Sequence, residues 1–522
     1  MKLLKRKFTD YLLMILPATM LAFYSCHQTP PTAIEQVKLD VNDGRVLSQK
    51  YCKSCHQYPE PDLIDKNTWI KGVLPVMAKQ LGLEDYMGQT YAVKTSSISL
   101  QEWNKIVTYY NTLAPAKLKF PHADNPKTDY GVFNLVKPKW QNNQHLALTT
   151  FVGFNPNNQN IYSADAESNL YKWNKFLKPE WSAKLPSPAT NIIWDDKNSN
   201  NGIVTCIGTL PPSDIANGQI IQYNFNLKTL KANIVYADSL PRAVQTVAAD
   251  FNRDGLTDYA VCGFGHDKGG LYLVKRINNK RFQTTAIRSI PGATQLVSGD
   301  FNHDGWPDLM CLFAQADEGI WLFLNDHKNG FITKNILHFP PIFGSSSFQL
   351  VDFNHDNLPD ILYTAGDNSD YSRVLKPYHG VYIFINQGDF RFKKKYFYHI
   401  DGCTKAIAED FKHSGKLDIA VISFFADFKN DPTEGLEYLE QTENLQFTPH
   451  KIPVSNQGRW ITMNTCDYNQ DGFIDLILGN FSMGGNLINQ KDFKPDWNMH
   501  QPIIVLQNNA GMAKTKKEDQ TN

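Results

Sequence analysis

The 522-residue chain has no charge surplus: 52 Lys and Arg offset 52 Asp and Glu. This balance lacks the basic footprint of a nucleic-acid binder, so no nucleic-acid partner is expected. Beyond the first 26 residues there is no apolar run long enough to enter a bilayer. Cysteines are few, at eight. With Cys26, Cys52 and Cys55 set aside for the motifs below, Cys206, Cys262, Cys311, Cys403 and Cys466 remain, an odd and scattered set that argues against a disulfide framework. Three of these lie in apolar strand-like runs (IVTCIG, YAVCGF, DLMCLF) and read as small buried hydrophobes. No catalytic constellation is legible after residue 130.

The N-terminus, MKLLKRKFTDYLLMILPATMLAFYSC, pairs a basic start with an apolar stretch too short to span comfortably. It ends in Ser25-Cys26 and resembles the lipobox of bacterial lipoproteins, although Phe23 and Tyr24 are bulkier than that pattern prefers. The resemblance implies a signal over 1–25, lipidation at Cys26, a linker over 26–40 and a lipid-anchored, extracytoplasmic protein. An ordinary secretory signal cleaved nearby is the other reading.

Residues 41–118 carry helical periodicity. Asp43 is expected to cap a first helix that runs into Cys52-Lys53-Ser54-Cys55-His56. A second helix is expected over NTWIKGVLPVMAKQLG, with Pro75 near its first turn or at a kink. Ser99-Leu100-Gln101-Glu102 forms a capping box for a third, which Ala114-Pro115 stops. Three short helices make a marginal core without help.

From about 130 the helical period vanishes. Short aromatic and β-branched strands alternate with Asn/Gly/Asp turns, as in GGLYLVKRINNKRF, GIWLFLNDHKNGF and GVYIFINQGDFRF. A nine-residue element recurs as DFNRDGLTD, DFNHDGWPD, DFNHDNLPD, DFKHSGKLD and DYNQDGFID, with starts 50, 52, 58 and 57 residues apart. Fainter copies lie near Asp195 and in TTFVGFNPNNQNIYSADAESNLYKWN. Roughly seven units of four strands predict a β-propeller over 130–510. Its last strand, PIIVLQNN, is expected to complete a blade begun near residue 130. Residues 511–522 read as a disordered tail.

The element D-x-N-x-D-G-x-x-D places oxygen ligands as calcium loops do, without the closing glutamate of an EF-hand. These repeats resemble the FG-GAP or VCBS family of calcium-binding propeller repeats. The resemblance implies about four Ca2+ sites. The ligands would be Asp250, Asn252, Asp254 and Asp258; Asp300, Asn302, Asp304 and Asp308; Asp352, Asn354, Asp356 and Asp360; and Asp467, Asn469, Asp471 and Asp475. The copy at 410 departs from the pattern: Lys412 and Ser414 occupy ligand positions, and Lys412 is expected to satisfy Asp410 and Asp418 in place of a metal. Metal-free Asx-turns are the competing reading. His303, His355 and His413 share position 4 and are expected to be surface residues.

C-x-x-C-H is the attachment signature of c-type haem. A thioredoxin-type pair would want a βαβ context, and a zinc site a second ligand pair, neither of which is present. The segment resembles small class I cytochromes c. That resemblance implies thioethers at Cys52 and Cys55, His56 as the proximal iron ligand and Met77 as the sixth, with Met87 the alternative. The combined expectation is a mainly β chain, a seven-bladed propeller behind a small all-α cytochrome c domain. Its function would be haem-mediated electron transfer, with the propeller docking a redox protein partner or a ligand. The alternatives are a propeller oxidoreductase feeding its own haem, and an adhesion or glycan-binding propeller.

Overall fold

The computed structural model describes residues 32–86, 89–121, 125–140, 144–195, 200–225, 230, 232–369, 372–483 and 493–511. The signal, Cys26, Met87 and the tail from 512 lie outside them.

Seven antiparallel sheets follow one another around a ring. The first blade runs over Thr149–Asn155, Asn160–Asp165, Asn169–Trp173 and Pro179–Lys184. Later blades begin with Ala189–Trp194, Ala243–Ala249, Ala293–Gly299, Ser345–Val351, Cys403–Glu409 and Trp460–Cys466. Second strands such as Asp258–Gly263, Asp308–Phe313 and Asp360–Ala365 are buried along their whole length, because each is covered by neighbouring blades on both faces. That explains the unbroken apolar runs and the burial of Cys206, Cys262 and Cys311. Outer strands such as Phe282–Arg288 are mostly exposed and correspondingly rich in Thr, Gln and Arg.

The ring closes as the repeat pattern requires. Ile503–Asn508 pairs antiparallel with Phe133–Val136, Asn508 opposite Phe133 and Val505 opposite Val136. Both chain ends of the propeller therefore share one sheet, and neither leaves an open edge there. Lys127–Thr128 adds a short parallel strand to the sixth blade, so the propeller begins slightly before residue 130. Side-chain amides on first strands tie blade to blade: Gln295 donates to the Phe348 carbonyl (2.7 Å) and accepts from its N–H (3.0 Å).

The helical unit differs in detail from its sequence reading. Its first helix is Ala33–Cys52, capped by Thr32 in a box with Glu35, so it starts inside the stretch assigned to a linker. Asp43 is not the cap; it lies within the helix and pairs with Lys105. The second element is broken into a turn at Lys66–Thr68, a π-turn at Trp69–Val73 and a helix at Leu74–Gln80. The break seats Pro75 in the first turn of the last piece, where its missing N–H breaks no helical bond. A hairpin of Leu83–Tyr86 with Gln89–Ala92 was not foreseen, so the unit is not all-α. The closing helix, Leu100–Leu113, has the expected Ser99/Glu102 box.

Antiparallel blades put first-to-second turns on one rim of the ring and second-to-third turns, with the blade crossings, on the other. The acidic loops are all first-to-second turns. The helical unit packs on the opposite rim: Ile342 joins its core, Val374 packs against it, and Phe120 meets His399 at 5.7 Å between ring centroids.

Candidate functional site: the CxxCH turn and the acidic rim

Cys52 is the last residue of its helix, and Cys55 lies exposed in the turn that follows; both thiols are free. Burial pushes the Cys52 thiol up to about 11. His56 is half-buried, and its Nδ1 lies 2.9 Å from the Gln57 carbonyl. A carbonyl only accepts, so Nδ1 carries the proton and Nε2 is left with its lone pair. Burial holds the His56 imidazole below its ordinary value, opposed by the Gln57 carbonyl. Asp317 and His338, on the propeller rim, also act on it electrostatically. Asp317 itself is held by Arg288 (2.5 Å) and His338 (2.7 Å), and Arg288 lies 3.7 Å from the centre of the Trp321 ring.

Around this turn the fold is tied by aromatic hydroxyl and indole groups. Tyr110 donates to the Pro59 carbonyl (2.8 Å), Trp69 to the Pro61 carbonyl (2.8 Å), and Tyr58 to the Tyr109 hydroxyl (2.9 Å). The Pro-containing turn after the motif is thereby fixed against the closing helix. Met77 is half-buried and packs on the same core. Gly44 sits at the crossing of the first and closing helices, and a Cβ there would fall 2.1 Å from the Lys105 carbonyl oxygen. Its role was not legible in the sequence, because the crossing brings together residues about 60 positions apart.

The four acidic loops share one geometry. Asp250 accepts from Asp254 N–H (3.1 Å) and Gly255 N–H (2.9 Å), and Asp300, Asp352 and Asp467 repeat both bonds. Asn252, Asn302, Asn354 and Asn469 accept from the position-5 N–H and donate to the position-5 carboxylate. The position-9 aspartates, Asp258, Asp308, Asp360 and Asp475, are fully buried. Asp308 holds Asn325 N–H (2.8 Å) and Phe301 N–H (3.0 Å), fastening its loop to the third strand; Asp360 and Asp475 do the same. Burial pushes Asp258 up to about 6 and Asp475 to about 7. Asp258 Oδ2 is buried and has no hydrogen-bond partner. Among the described residues, no three His, Cys, Asp or Glu side chains converge as a ready-made ion cage.

In the sixth blade Lys412 reaches Asp418 (3.2 Å) and Glu440 (2.8 Å), while Asp410 is held by the Ser414 and Gly415 N–H groups. Position 4 is left-handed in all five loops, at Arg253, His303, His355, His413 and Gln470. It is exposed in all five. Arg253 lies over Trp306 (4.7 Å) and His413 stacks on Phe473 (4.4 Å), so position 4 of one loop packs on position 7 of the next. His327, which the sequence did not single out, bonds Asp304 (2.9 Å) and stacks on Trp306.

A family model described as "FG-GAP-like repeat" matches residues 250–311 and 300–363. No curated protein matches the chain. Among solved structures, the Cps50 (Swd1) β-propeller domain of Myceliophteria thermophila is 12% identical, with a TM-score of 0.44 and a match covering 72% of this chain and 99% of that one. The chain is a seven-bladed β-propeller carrying FG-GAP-like repeats, preceded by a short helical region.

Proposed function

We propose that this chain is an extracytoplasmic electron-transfer protein, anchored through lipid on Cys26, with one covalent haem c on its helical unit. The propeller docks the redox partner or ligand. The observation that carries the reading is the state of His56: Nδ1 is committed to the Gln57 carbonyl, Nε2 is free, and two free thiols stand one and four residues before it. A metal-binding histidine is oriented by such a bond on its other nitrogen. Cys52 and Cys55 would hold the haem by thioethers, and His56 and Met77 would ligate its iron. When bound, the group supplies one-electron exchange. The protein supplies position: the Tyr110, Trp69 and Tyr58 bonds hold the turn, and the Asp317–Arg288–His338 cluster sets the charge beside it.

The acidic loops would bind Ca2+ through the residues named above, stiffening the rim. The unpartnered, buried Asp258 Oδ2 fits a cation there. A haem stain should follow the denatured polypeptide and disappear in Cys52→Ala. A colourless wild-type chain, made in a host that attaches haem c, sinks the electron-transfer reading.

A further inference from the structure

Among the described residues one pair of cysteine sulfurs is in contact: Cys262 Sγ lies 3.8 Å from Cys311 Sγ. Both residues are fully buried, and both carry free thiols in this structure. They come from neighbouring blades. Cys262 is the fifth residue of the strand Asp258–Gly263, and Cys311 is the fourth of Asp308–Phe313.

Successive strand residues face opposite sides of a sheet. Ala260 and Cys262 therefore enter the core that Leu309, Cys311 and Phe313 enter from the other side. Tyr259 and Val261 face the preceding blade, and Met310 and Leu312 the following one. The offset of one position between the two copies is what aims the thiols at each other. At the same two positions the next interfaces carry Leu312 with Tyr363 and Thr364 with Val421, so the repeat itself does not call for sulfur here. Cys206, Cys403 and Cys466 lie in three other cores, each without a second cysteine among the described residues.

A metal held between two thiolates needs further ligands, and no third His, Cys, Asp or Glu converges among the described residues. A disulfide needs only the two sulfurs. Its length of about 2.05 Å asks them to close by roughly 1.8 Å, shared between two side chains that each swing about one Cα–Cβ bond. We infer that Cys262 and Cys311 are joined by a disulfide in the exported chain, a covalent tie between the third and fourth blades. The thiolate of one cysteine attacks an external disulfide and releases one thiol from it. The thiolate of the other attacks the resulting mixed disulfide and releases the second thiol. The two cysteines lose two hydrogens in total, and the external disulfide takes them up as a pair of thiols. Neither sulfur is reachable once the blades have closed, so the exchange belongs to folding, and the same burial then shields the bond from reductants. Burial also pushes the Cys311 thiol well up, opposed by Arg288, which disfavours attack after closure. The tie rests on the extracytoplasmic reading for its oxidant, because a reducing cytoplasm keeps thiols free. It does not rest on the haem. It is a single bond rather than a framework.

The test is peptide mapping of the full chain made in a bacterial cytoplasm rendered oxidising by loss of its thiol reductases, so that neither export nor haem attachment enters. The chain is unfolded in N-ethylmaleimide without reductant and digested. A linked Cys262–Cys311 peptide is expected, lighter by two hydrogens than its two free parts, with Cys206, Cys403 and Cys466 alkylated. Alkylated Cys262 and Cys311, or either of them linked to another cysteine, overturns the assignment. The wild-type chain is read directly, so no folding defect of a variant intrudes. Because the pairing is read without export or haem, it can fail while the electron-transfer reading stands, and the reverse.

Discussion

The Lys412 ammonium lies 3.2 Å from the buried Asp418 carboxylate, so the sixth blade carries its own cation where four other blades have an asparagine. Glu440 completes the arrangement at 2.8 Å. If the other four loops take Ca2+, the double substitution Lys412→Asn with Ser414→Asp restores the pattern and should raise bound calcium by about one ion per chain. Metal analysis after dialysis against micromolar calcium reads this directly; an unchanged count would count against calcium in all the loops.

If the helical unit carries haem c as proposed, replacing Met77 with alanine should leave the covalent haem in place. It should remove the methionine–iron charge-transfer band and shift the potential downward, because a thioether ligand raises it. A spectrum identical to wild type would reassign the sixth position.

Gly44→Ala forces a Cβ to within 2.1 Å of the Lys105 carbonyl and 2.7 Å of the Tyr109 Cβ. Overpacking of this kind destabilises by about 1–3 kcal/mol. Urea unfolding followed by far-ultraviolet circular dichroism should show the helical signal lost earlier than in wild type, with the propeller midpoint nearly unchanged.

Phe133 closes the ring, buried against Phe411 (5.4 Å) and Tyr438 (5.5 Å). Phe133→Ala should destabilise the propeller by about 3–5 kcal/mol. Phe176, 72% exposed, is the control: Phe176→Ala should stay within about 0.5 kcal/mol of wild type.

Stability should fall as pH rises from about 4 towards neutrality. Burial pushes the carboxyl groups of Asp401 and Glu437 up to about 7. Asp427 and Asp431 add repulsion at Asp401, and Tyr398 and Lys451 oppose the shift at Glu437. Glu434 beside them is raised as well, and His399 faces Asp401 at 3.5 Å. Unfolded carboxyls titrate near ~4. Between there and about 7 the folded chain holds protons that the unfolded chain releases, so stability declines across that window. Denaturation midpoints should be higher at pH ~5 than at pH ~8. Asp401→Asn with Glu437→Gln should flatten that slope.

The amino-acid order alone determined the ring. Blade number, the closing of the ring by PIIVLQNN, the burial of Cys206, Cys262 and Cys311 and the departure of the loop at 410 were legible, because a repeat displays its own period and each copy tests the others. The Ser99/Glu102 box was equally plain, since a cap is a local contract between residues three apart. What the tertiary structure decided depends on contacts between distant positions. Asp43 reads as a cap until Lys105 is seen beside it, and Thr32 takes that role one helix length earlier. Gly44 matters only because the closing helix crosses there. Position 4 of each acidic loop is exposed, as its sequence suggests, and in two blades it also lies over position 7 of the next loop, Arg253 on Trp306 and His413 on Phe473. The helical unit packs on the rim opposite the acidic loops because antiparallel strands send alternate turns to opposite sides, and residues such as Ile342 lie in those alternate turns. The cavity lined by Leu148 and Pro502, more than 350 residues apart in sequence, exists only because ring closure brings the first and last blades together.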